Sequence, residues 1–120
     1  MSSAQIPVTV ATASGRITGV RRDGLHYFHS VRYCNIPSPY SPAEPYDRSV
    51  DQDAREPRPN DIALSITAPA DAAECPVVVY IHGGRYEHGS HEDRRAEGTP
   101  TAEAGIVHVQ LGYRVGLPGL

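Results

Sequence analysis

The sequence predicts an α/β protein in which an antiparallel β-meander leads into the first strands of a central, mostly parallel sheet. Three observations point to it. Short β-branched runs separated by turn signals open the chain, from Ile6 to Phe28. Val77-Val78-Val79-Tyr80-Ile81 is an unbroken apolar run with the composition of a strand covered on both faces. Ile106 to Leu111 forms a second strong strand pattern, separated from the first by a polar stretch broken at Gly98 and Pro100.

At 120 residues the chain makes a single domain at most. Residues 1–36 are read as the meander. Ile6 to Val10 passes through Ser14-Gly15 to Ile17–Val20, and Asp23-Gly24 then turns the chain into Leu25–Phe28, a hairpin signal. Residues 37–61 hold six prolines and nine charged residues, with Val50 the only aliphatic side chain besides alanine. Such a stretch buries too little surface to offset its ordering entropy, so it is expected as a surface loop without secondary structure. Residues 62–120 carry the central strands, starting with the alternating Ala63–Thr67, and a short helix is expected near Thr101–Ala104 with Gly105 as its stop.

Composition excludes several classes. The net charge of −3 lacks the basic surplus of a nucleic-acid binder. No apolar run approaches the roughly 18 residues that span a bilayer, and the first ten residues lack the pattern of a secretory signal, so a cytoplasmic protein is expected. Cys34 and Cys75, without CxxC spacing, read as free thiols rather than a disulfide framework or a zinc site. All eleven basic residues are arginine, which has no evident meaning for the fold.

The most specific stretch is Val77 to Ser90, where a strand runs directly into His82-Gly83-Gly84. Glycines after a strand let main-chain N–H groups approach a ligand closely, and those groups can face a developing oxyanion. Several landmarks then occur in order. Gly15–Gly19 is similar to G-x-[IV]-x-G. Phe28–Tyr33 is similar to F-x-G-I-x-Y with Ser30 in place of glycine, and Tyr40–Pro45 to R-F-x-P-P-x-P. Leu64–Pro69 matches L-N-[IV]-x-x-P, and Pro76–Ser90 matches P-V-x-V-x-I-H-G-G-G-[FY]-x-x-G-S. Gly112–Leu120 is similar to N-Y-R-[LV]-G-x-x-G-F. Together they resemble the N-terminal part of the type-B carboxylesterases, the cholinesterase-like branch of the α/β-hydrolase fold.

That resemblance implies a hydrolase acting on small-molecule carboxylic esters through a serine acyl-enzyme, with no metal or organic cofactor. It implies an oxyanion-hole loop at Gly83, Gly84 and Arg85, with Gly84 and Arg85 donating their N–H groups and Gly83 shaping the turn. His82 belongs to that loop and is not the triad histidine. The G-x-S-x-G nucleophile elbow and the rest of the triad are absent from these residues, so the chain reads as an N-terminal segment that is inactive alone. Arg85 replaces a third glycine, and Asp61 stands where many members have a cysteine. Two alternatives remain open: a non-catalytic cholinesterase-like interaction protein, and a small anion-binding module built on Gly83-Gly84. Nothing in the sequence sets an oligomeric state.

Other residues carry plainer readings. His88 and His91, flanked by Glu87, Glu92 and Asp93, read as a solvated polar loop before a metal patch. His26 and His29 read as surface or rim residues. Tyr33, Tyr40 and Tyr46 read as packing against the meander. Gly112, Gly116 and Gly119 lack dinucleotide-loop spacing. Arg114 is expected to pair with a carboxylate and order the neighbouring loops. The acidic and basic residues between Asp47 and Arg58 read as a solvated mixed-charge surface.

Overall fold

The computed structural model describes residues 5–13, 15–38, 40–47, 49–59, 61–84 and 89–115, with the Arg95 side chain excepted. Turn chemistry sets the start. Strand β1 (Ile6–Thr12) and β2 (Gly15–Arg22) pair antiparallel, with Gly15 at φ 87 as the chain enters β2. Asp23 and Gly24 both take positive φ (54 and 78), the two-residue geometry that matches strand twist, and Arg22 pairs with Leu25 to begin β3 (Leu25–Arg32). The predicted hairpin forms as its dipeptide dictates.

The remaining elements are β4 (Cys34–Asn35), β5 (Glu44–Pro45), β6 (Gln52–Asp53), β7 (Ala63–Pro69), β8 (Val77–Ile81), the helix α1 (Thr99–Glu103) and β9 (Val107–Leu111). The main sheet runs β1-β2-β3-β7-β9-β8, and β4 pairs with β5 separately. Pairing is antiparallel from β1 to β9, and β8 then joins β9 in parallel, Val77 opposite Val107 and Ile81 opposite Leu111. The helix begins two residues earlier than expected, with Pro100 in its first turn, where a missing N–H costs nothing. Gly105, at φ 86, follows its end as expected. No helix among the described residues is long and apolar enough to cross a membrane.

The Pro-rich stretch departs from expectation. It contributes β5 and β6, and Ala54 is completely buried. The reason lies in β3, whose register against β7 shifts between Phe28 and Val31. Beyond Val20, β3 no longer pairs with the lower half of β2, and β6 fills the opening by pairing parallel with Ile17 and Thr18. Ala54 N–H donates to Thr18 O (2.6 Å), and Ala54 O accepts from His29 N–H (2.7 Å). Gln52 exchanges two hydrogen bonds with the Arg32 backbone (2.8 and 3.0 Å). Backbone groups that would otherwise be orphaned are thereby paired.

Two small cores result. Ile17, Phe28, Val31 and Ala54 pack with Val8, Leu64 and Ile66. Val20, Leu25, Tyr27 and Ala102 of α1 form the other. Gly19 lets these layers close, because a Cβ there would sit 2.3 Å from Tyr27 O and 2.6 Å from the Phe28 ring. The expected double coverage of β8 is not found, and all five of its residues are exposed. Among the described residues its one sheet neighbour is β9, and α1 packs over β3, β7 and β9. An apolar strand with an open edge is a pairing hazard.

Two outcomes are expected. Gly19→Ala lowers unfolding free energy by about 2 kcal/mol through overpacking against main chain, read from denaturant midpoints. The 120-residue chain shows concentration-dependent association in sedimentation velocity, and Val79→Lys, charging the edge, reduces it.

Candidate functional site

Strand β8 ends at Ile81, and the chain passes straight into His82, Gly83 and Gly84 at the carboxyl end of a parallel pair, where open α/β sheets place their ligands. His82 is buried at 3% exposure. Its ring stacks on Tyr113, with centroids 4.1 Å apart and planes 5° from parallel, and Tyr113 Oη donates to His82 O at 2.5 Å. His82 Nδ1–H donates to Gly83 O at 2.7 Å, fixing the peptide that follows. His82 thus acts as a packed pivot.

Gly83 is exposed and Gly84 half-buried. Gly84 takes φ 124, a region that requires glycine. Among the described residues, neither Gly83 nor Gly84 N–H donates to a backbone carbonyl. Arg85, the third residue expected in the loop, lies outside the described residues, as do Glu87 and His88. The chain is described again from Gly89, at φ 128, where a Cβ would fall 2.0 Å from His82 Nδ1 and 2.8 Å from Gly83 O. Gly89 therefore lies directly against the start of the loop.

The segment after Gly89 contradicts the expected solvated loop. His91 is 1% exposed, with Nε2 placed 2.8 Å from Ser30 Oγ. Ser30 is also buried and accepts the Arg58 N–H at 2.7 Å. Glu92 is largely buried. It accepts a short hydrogen bond from the Ser65 hydroxyl and pairs with His29 Nδ1 at 3.2 Å. His29 is thus a hydrogen-bond partner of Glu92, not a plain rim residue. Glu87 and His88, the other half of the candidate metal patch, lie outside the described residues, and no group of three or more metal-ligating side chains comes together among the described ones.

Burial pushes the His91 pKa down, only partly opposed by Glu92 and Asp61. Burial would raise that of Glu92, but hydrogen bonds from His29 and Ser65 and the nearby imidazoles outweigh it, and its pKa falls. Arg114 donates to a backbone carbonyl, Ser41 O at 2.6 Å, rather than to the expected carboxylate. Tyr33 Oη donates to Gly112 O at 2.5 Å, whereas Tyr40 is 64% exposed and does not pack on the meander as expected. Asp61 pairs with Arg32 at 3.2 Å, and Cys34 and Cys75 are free thiols.

A cavity of about 730 Å³ opens on the polar face of the sheet between Tyr27, His29, Ser65, Thr67, Glu92 and Gln110. Neither Gly83 nor Gly84 lines it. Sequence reasoning missed the His29–Glu92 and Ser30–His91 pairs. Ser30, standing where the resembled motif has glycine, was the available signal.

Residues 58–120 match the carboxylesterase family. The chain belongs to that family. The chain is 26% identical over 140 aligned positions to Lipase 1 of Yarrowia lipolytica, covering 90% of the chain and 29% of that protein. It is 27% identical over 134 positions to the para-nitrobenzyl esterase of Bacillus subtilis, covering 89% of the chain and 27% of that protein. A crystal structure of a Geobacillus stearothermophilus carboxylesterase superposes with a TM-score of 0.80 at 29% identity, over 89% of this chain and 26% of that one. The carboxylesterase chain has the α/β-hydrolase fold of these neighbours over the part it spans, which is less than a third of their length.

Depressed pKa values give the pH dependence a sign. Stability from neutral His91 is complete above its ordinary value of 6.5 and is lost as pH falls below it. Stability from ionised Glu92 is complete above 4.5 and is lost as pH falls through its lowered folded value. Thermal melts are therefore expected to show Tm falling from pH 7.5 to pH 5 and again below pH 4.5, with the first drop reduced in His91→Asn.

Proposed function

We propose that these residues supply the oxyanion-binding loop of a carboxylic ester hydrolase. The observation that supports this best is the pair of successive glycines at the end of β8 whose N–H groups have no carbonyl acceptor among the described residues. A serine hydroxyl from outside these 120 residues attacks the acyl carbon of a small-molecule ester, and the carbonyl oxygen gains negative charge. The Gly84 and Arg85 N–H groups donate to that oxygen, and Gly83 gives the turn its room. Departure of the alcohol leaves an acyl-enzyme, which water then cleaves. Donors that are already aimed need no reorganisation as charge develops, which is why such loops contribute strongly to rate.

The surrounding contacts suit this work. His82 stacks on Tyr113, abuts Gly89 and donates from Nδ1 to Gly83 O, so the peptide bearing the Gly83 carbonyl is fixed in orientation. Family membership and the relatives' names, a lipase and an esterase, agree with ester hydrolysis.

The test uses the full-length protein and the 120-residue chain side by side on a short-chain nitrophenyl ester. Turnover is expected from the full-length protein and none from the 120 residues, which lack a G-x-S-x-G elbow. Gly84→Ala, which cannot hold φ 124, is expected to lower kcat by about 10²–10³-fold with KM little changed. A kcat within threefold of wild type would refute the assignment of Gly84.

A further inference from the structure

We infer that His91 and Glu92 are positioning residues for the glycine loop, held by a two-point clamp on a bulge in β3; this rests on the oxyanion reading of Gly84. The clamp begins with a departure from strand geometry. In a regular strand, consecutive side chains point to opposite faces. At His29–Ser30 the register against β7 shifts, and Ser30 takes φ 57. Both side chains then reach the same segment, His29 to Glu92 and Ser30 to His91. Two adjacent residues of a strand grip two adjacent residues of a loop.

Neighbouring groups complete the grip. Ser65 of β7 donates its hydroxyl to Glu92 and accepts the Ser30 N–H at 3.3 Å, joining the two points. Arg58 N–H donates to Ser30 Oγ. Ser90 Oγ donates to Pro59 O and accepts the Glu92 N–H, each at 3.1 Å.

The clamp reaches the glycines by two short routes. Through the chain, His91 and Glu92 fix Ser90 and Gly89, and Gly89 abuts the His82 ring and Gly83 O. Through space, the His91 ring occupies room left by Gly112, where a Cβ would stand 2.8 Å from Nδ1. The next residue, Tyr113, stacks on His82 and donates to its carbonyl. Displacing His91 or Glu92 therefore disturbs both contacts that orient His82 and Gly83.

Energetics favour a positional role over a stabilising one. Desolvating a carboxylate and two imidazoles largely cancels what their pairing returns, so an apolar cluster of similar volume would stabilise the fold as well or better. The hydrogen bonds that join His29, Ser30, Ser65, His91 and Glu92 restrict the segment to one arrangement, because displacing a member leaves its partner unpaired. Such a network suits a loop whose donors must be held in place.

The experiment compares wild type, Glu92→Ala, Glu92→Gln and His29→Ala in the full-length protein. Kinetics use a short-chain nitrophenyl ester and a trifluoromethyl ketone, whose tetrahedral adduct places charge where the loop donates. Residue-resolved amide exchange reads 82–84 against β2 and β3. Glu92→Ala is expected to lower kcat by about 10–10²-fold, the loss a misplacement of about 1 Å can cause, with KM within twofold. Ketone affinity falls in parallel, and exchange at Gly83 and Gly84 quickens by about tenfold while β2 and β3 stay protected. Glu92→Gln, which can still accept from Ser65, recovers kcat to within threefold. His29→Ala keeps the Ser30–His91 pair and shows the same pattern at smaller size.

Unchanged exchange at 82–84 in both Glu92→Ala and His29→Ala overturns the clamp. So does a kcat loss that merely follows the folded fraction, with protection lost throughout the sheet. A wild-type protein that shows the exchange difference but hydrolyses no ester retains the clamp and refutes the hydrolase reading instead.

Discussion

The bulge at His29–Ser30 is the constraint on which the rest of the molecule depends. It ends regular pairing between β3 and β2, and so opens the slot that β6 and Ala54 fill. It also turns two consecutive side chains toward one loop. Ser30 holds φ 57, at a cost an L-residue meets only when surrounding contacts compensate. Here the compensation is visible, since its hydroxyl accepts from Arg58 and contacts His91 while its N–H donates to Ser65. A glycine would relieve the backbone and lose the hydroxyl bonds. The serine exchanges local ease for attachment to the loop.

Strand β8 has a divided character. Its composition is that of an interior strand, yet every residue of it is exposed and β9 is its one sheet neighbour among the described residues. The chain covers less than a third of the relatives it matches, so a strand with interior composition at the sheet edge is consistent with their larger fold. Its carboxyl end is nevertheless held by local contacts, because His82 stacks on Tyr113 and abuts Gly89. The glycine loop thus takes its orientation from residues within this segment.

The cavity beside Tyr27 and Glu92 lies apart from the glycines, on a sheet face lined by Ser65, Thr67 and Gln110. Its polarity follows from strand alternation: residues of β7 and β9 that face α1 and the crossover are hydroxyl, amide and imidazole groups, whereas Leu64 and Ile66 face the aliphatic core. Glu92 and His29 stand at its wall, and their pairing closes one side.

Local chemistry made much of this legible in advance. Asp23-Gly24 specifies its turn through two positive φ angles, Val77–Ile81 specifies a strand through β-branching, and Gly105 ends a helix through its missing Cβ. Each signal acts within a few residues, so the sequence by itself determined where strands begin and that His82-Gly83-Gly84 follows one of them. The Ser30–His91 and His29–Glu92 contacts span 61 and 63 residues and depend on a bulge that no periodicity announces. Likewise, Ala54 is buried because a slot exists, and β8 is exposed because no second neighbour flanks it here. Only the tertiary structure decided these, since which face a side chain takes after a register shift is set by the strands around it.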